Sequence, residues 1–103
     1  MDQHQRRVWG RMLERLDAYK SGEVGLGNLL ADLRGLLDAA ELHDQRLIDE
    51  FHPRFAALEG QYALQTEPWA PDGLASDEDL DEAIRNFREW ALAVLRDTDA
   101  RRS

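Results

Sequence analysis

The chain has 103 residues, no cysteine, and 21 acidic against 13 basic side chains, for a formal net charge of −8. That length accommodates one domain and excludes two ordinary ones, and the missing cysteines exclude a disulfide framework. A charge of this sign repels phosphate backbones, so nucleic acid is not an expected partner.

The first helix is predicted from about Gln3 to Tyr19. Val8, Met12, Leu13, Leu16 and Tyr19 recur at steps of three and four residues and share one face, which Trp9 widens. Lys20-Ser21-Gly22 then supplies a cation for the helix end and a glycine for a left-handed cap. After the connector Glu23–Asn28, a leucine stripe (Leu26, Leu29, Leu30, Leu33, Leu36, Leu37) continues through Ala40 to an end near Leu42. This is the clearest core element of the chain.

A third helix is predicted to start at Asp44, an N-cap residue by type, and to reach about Leu64 through Leu47, Ile48, Phe51, Phe55, Leu58 and Tyr62. Pro53 interrupts its hydrogen-bonding pattern without interrupting its period, which predicts a kink near Pro53 rather than a break. The stretch Glu67-Pro68-Trp69-Ala70-Pro71-Asp72-Gly73 reads as a loop. Ser76 and Asp79 form a capping-box pattern, with Asp in place of the usual Glu, at the start of a fourth helix. Its apolar face is Leu80, Ile84, Phe87, Ala91, Val94 and Leu95, with Trp90 on the flank. Residues 98–103 read as a polar tail that frays. Four amphipathic helices with short connections predict an all-α, antiparallel four-helix bundle over residues 1–97.

Charge is unevenly distributed along this bundle. Residues 1–20 carry five basic and three acidic side chains, residues 21–66 three and eight, and residues 67–103 five and ten. The densest acidic stretch is Asp77, Glu78, Asp79, Asp81 and Glu82. Acids at a helix start are stabilised by the helix dipole at about 0.3–1 kcal/mol each, but five in six residues exceed what capping requires. The surplus marks these five as candidate contacts for a basic partner. Asp49 and Glu50, set away from the Leu47/Ile48/Phe51 stripe, are secondary candidates, joining the first group if the bundle brings the two together. Trp69 in its proline-flanked loop either folds back on the core or anchors a partner, a role that suits large aromatics.

Catalytic and cofactor chemistry is not encoded in any recognisable spacing. His4 and His43 lack the Glu-x-x-His pairing of di-iron bundles, and Asp49 with His52 gives one degenerate pair and no second. An EF-hand loop starting at Asp77 fails because Glu82 stands at its sixth position and Arg88 at its twelfth. No enzyme, metal or cofactor is expected. Arg6, Arg7, Arg11 and Arg15 on the first helix are read as partners for the acidic helices. Met1–Arg7 lacks the apolar stretch of a secretory signal, and no run of roughly 18 apolar residues occurs, so the chain is expected in the cytoplasm without a membrane span.

Tyr19-Lys20-Ser21-Gly22-Glu23-Val24 leading into Leu26, Leu29 and Leu30, with Phe51, Phe55, Leu58-Glu59 and Tyr62-Ala63 in the third helix, resembles the small acidic all-helical immunity proteins of bacterial toxin systems, including the colicin D immunity group. The similarity spans about residues 12–95. It implies a cytoplasmic protein that binds a cognate toxin domain, often a nuclease, and blocks its basic cleft as a phosphate mimic. On that model Asp77, Glu78, Asp79, Asp81 and Glu82 face the toxin. The alternative is a helical adaptor or regulatory module that self-associates, a monomer or weak homodimer whose Trp9, Trp69 and Trp90 sit where dimer contacts form.

Overall fold

The computed structural model describes residues 3–41, 44–66 and 77–102. These residues form four helices, α1 (Gln3–Lys20), α2 (Leu26–Ala40), α3 (Gln45–Thr66) and α4 (Asp77–Arg102), and among them there is no strand. The loop at 67–73, Trp69 and the Ser76 cap lie outside the described residues.

Each helix packs on its neighbours in sequence, and α4 closes the ring against α1. Cross-links between helices fix their directions. His4 Nε2 donates to the Ala39 carbonyl at 2.8 Å, placing the start of α1 beside the end of α2. Arg34 reaches Glu59, and Gly27 lies against Tyr62, so α2 and α3 are antiparallel. Glu50 meets Trp90 and Asp17 meets Arg88, which orients α4 against both α3 and α1. The result is the antiparallel four-helix bundle expected from the periodicity, elongated to 50 × 27 × 20 Å.

Local signals account for two of the helix ends. After α1, Gly22 takes φ +84°. Its N–H bonds the Tyr19 carbonyl at 3.1 Å, and the Glu23 N–H bonds that of Ala18 at 2.9 Å. These two bonds are the Schellman pattern, which glycine adopts without the steric penalty of a Cβ. At the start of α3, Asp44 Oδ1 accepts from the Arg46 N–H at 3.0 Å, the capping bond its side chain suits.

Two ends differ from the sequence expectation. Helix α2 stops at Ala40 because Glu41 turns left-handed (φ 50°), an unusual choice for a non-glycine residue. Helix α4 continues to Arg102, where a frayed tail was expected after Asp97. Residues 98–102 contain neither glycine nor proline, so nothing in the backbone chemistry stops the helix at 97. Helix α3 runs unbroken through Pro53, as the surviving period predicted, with the proline ring on its exposed side.

The core is one cluster drawn from all four helices. Trp9, Met12, Leu16, Leu29, Leu33, Leu58 and Phe87 are fully enclosed. Its centre is aromatic: Trp9 stands edge-on to Trp90 with centroids 5.0 Å apart, and Phe87 stands edge-on to both Trp90 and Phe51. Phe51 stacks on Phe55 at 5.3 Å. Edge-to-face pairs of this kind contribute about 0.5–1.5 kcal/mol each beyond the area they bury. Trp9 and Trp90 are therefore core residues, not the stripe-edge positions suggested by sequence, and neither offers a dimer contact.

Candidate partner-binding surface

The first turns of α4 present their acids because their hydrophobic residues are committed inward. Leu80 and Ile84 are buried and Ala83 packs against the core, whereas Asp81 and Glu82 between them project outward. Glu78, Asp79, Asp81 and Glu82 are all exposed. Asp77 opens the helix, and its side chain lies outside the described residues.

Successive residues advance about 100° around a helix, so acids this close in sequence cannot all share one face. Asp79 and Glu82, three apart, border the seam between α3 and α4. That seam is a cleft of ≈ 320 Å³ whose other walls are Pro53, Arg54, Ala57, Ala83 and Asn86. Asp81 points to the opposite flank, a cleft of ≈ 650 Å³ between α4 and the end of α1, lined also by Tyr19, Lys20, Val24, Ile84 and Arg85. The acidic turn thus straddles α4 like a saddle.

Glu78, Asp81 and Glu82 make no hydrogen bond or ion pair among the described residues. Three acids along the bundle's sides behave differently. Asp32 pairs with Arg15 at 2.8 Å, Glu59 with Arg34 at 3.4 Å, and Asp17 with Arg88 at 3.0 Å. Of the first-helix arginines expected to pair with the acidic helices, Arg15 does so, whereas Arg7 and Arg11 make no ion pair among the described residues. These pairs are partly solvated and contribute little to stability, about 0–1 kcal/mol each. Lys20 and Arg85 border the cleft beside Asp81, and Arg54 the cleft beside Asp79 and Glu82, without pairing with Asp81 or Glu82.

Asp49 and Glu50 do not join this surface. Because α3 runs antiparallel to α4, Glu50 lies level with Trp90, eight residues beyond Glu82 and therefore about 12 Å further along the helix. Asp49 is exposed and accepts a hydrogen bond from Gln45 Nε2 at 2.8 Å. Glu50 has an internal role: its Oε2 accepts the Trp90 indole N–H at 3.2 Å. Arg54 completes this assembly, its guanidinium lying 5.1 Å from the Trp90 ring centroid and donating to the Glu50 carbonyl at 2.8 Å. The four-residue spacing of Glu50 and Arg54 hinted at a shared helix face. Nothing local in the sequence placed Trp90, 36 positions further on, between them.

Among the described residues no group of His, Asp and Glu side chains is arranged to hold a metal ion. Among the described residues, too, no helix is long and apolar enough to cross a membrane. Compared with known proteins, the chain matches no family model, no curated protein and no solved structure. The functional argument consequently stands on the surface itself.

Proposed function

We propose that this chain is an immunity-type protein that binds and neutralises a cognate bacterial toxin domain, a nuclease, in the cytoplasm. The observation that carries this reading is the set of unpaired carboxylates Glu78, Asp81 and Glu82 on the rigid start of α4, backed by Leu80 and Ile84 in the core. A nuclease cleft is lined by arginines and lysines that hold phosphates. Carboxylates fixed on a helix supply charge of the same sign, and complementary potentials speed encounter and disfavour wrong partners. Asp77 and Asp79 are proposed for the same contact, and Trp69, eight positions before Asp77 in the sequence, as an apolar anchor for the partner.

An adaptor or self-associating module is the competing reading. Burial of Trp9 and Trp90 removes two of the three aromatics on which it was based. The inhibitor acts without catalysis or cofactor, as a monomer in a 1:1 complex.

Co-expression with the toxin domain encoded beside its gene tests the proposal. Cells carrying the wild-type chain survive. Cells carrying Glu78→Lys, Asp81→Lys and Glu82→Lys together lose protection, while reversal of the exposed Asp38 on α2 leaves it intact. Full protection by the triple variant, at unchanged helix content, overturns the assignment.

A further inference from the structure

Far from the acidic turn, the α1–α4 seam carries a groove of opposite sign. Gln3, Arg6 and Arg7 occupy positions i, i+3 and i+4 on α1, and Leu92, Leu95 and Arg96 repeat that spacing on α4. The two stripes enclose a groove of ≈ 450 Å³, within the roughly 300–1,000 Å³ typical of small-molecule sites. Leu92 and Leu95 are half-buried and form an apolar floor, while Arg7 and Arg96 are exposed at the rim.

Among the described residues no acidic side chain lines this groove. Arg7 and Arg96 make no hydrogen bond or ion pair among the described residues, in contrast to Arg15, Arg34 and Arg88. Two guanidinium groups without a partner among the described residues, those of Arg7 and Arg96, thus share one groove of a chain whose net charge is −8. Like charges held together repel, and an anion seated among them offsets that repulsion.

We infer that this groove binds a small amphiphilic carboxylate, with its head between the arginines and its aliphatic tail on Leu92 and Leu95. The guanidinium fork matches a carboxylate through two parallel N–H···O bonds. The apolar floor selects among anions: an aliphatic tail covers Leu92 and Leu95, whereas inorganic phosphate engages only the arginines and leaves that surface exposed. This site is independent of the proposed toxin contact and stands or falls without it.

Calorimetric titration with octanoate, kept below its micelle concentration, tests the inference, with tryptophan fluorescence as a second readout. Trp9 lies two residues from Arg7, in contact with Trp90. Octanoate is expected to saturate at one molecule per chain, with octanol and inorganic phosphate each weaker by at least about tenfold. The double variant Arg7→Glu, Arg96→Glu loses at least about tenfold in octanoate affinity at unchanged circular dichroism. Arg7→Lys with Arg96→Lys, which keeps the charge and removes the fork, loses a smaller part. Equal binding of octanol reduces the site to an apolar floor, and equal binding of phosphate reduces it to a general anion patch. Either result overturns the inference, as does the absence of saturable binding or equal octanoate affinity in all three proteins.

Discussion

Trp90 shows how one side chain ties the elements of this bundle together. Its ring meets Trp9 from α1 and Phe51 from α3, its N–H reaches the Glu50 carboxylate, and Arg54 covers its outer face. The aromatic body is buried while the polar edge finds a charged acceptor, an arrangement tryptophan favours when nearly enclosed. Trp90→Phe keeps most of the packing and removes the hydrogen bond and part of the cation–π contact. A loss of about 1–2 kcal/mol is expected, read as a lower denaturation midpoint with unchanged denaturant slope. An unchanged midpoint would show that the Glu50–Trp90–Arg54 assembly adds nothing to stability. Glu50 is on this account a structural acid, and its neutralisation to Gln leaves partner binding unaffected.

At the level of the elements, backbone chemistry was legible wherever it is local. Gly22 announced the end of α1 and Asp44 the start of α3, because each satisfies helix-end groups within a few residues of itself. Periodicity likewise carried α3 across Pro53. Partnerships that depend on tertiary closure were not legible: Trp9 and Trp90 are 81 positions apart, and nothing in either neighbourhood specifies the edge-to-face contact between them. The end of α2 was obscure for another reason. Glu41 adopts a left-handed backbone without being glycine, so the residue type gave no signal.

Pro53 provides the corresponding test of an element. It removes the N–H that would bond the Asp49 carbonyl, yet its ring lies on the exposed side and opposes no core residue. Pro53→Ala restores that bond and is expected to stabilise the fold by about 1–2 kcal/mol, net of the greater freedom of the unfolded chain. Thermal melts measure it. A lower melting temperature would mean that Pro53 is needed to seat α3 against α4.

Over the whole molecule, charge is sorted by the fold. Three acids along the sides of the bundle pair with arginines, an acidic turn remains exposed at the start of α4, and arginines line the α1–α4 seam near its other end. The linear sequence revealed the acidic density at 77–82 but not its division between two clefts, nor the separation of Asp49 and Glu50 from it. Those features follow from helix direction and phase, which only the assembled bundle fixes. Placing the strongest field on a rigid helix start suits fast, charge-steered capture of a basic protein, and such capture weakens as salt shortens the range of the field.

The affinity of the neighbouring-gene toxin domain for this chain, measured by calorimetry at low and at physiological salt, tests that account most directly. The prediction is a 1:1 complex that weakens with salt and loses at least about 3 kcal/mol of binding energy when Glu78, Asp81 and Glu82 become lysine. A complex of unchanged affinity and salt response in that variant would contradict the account.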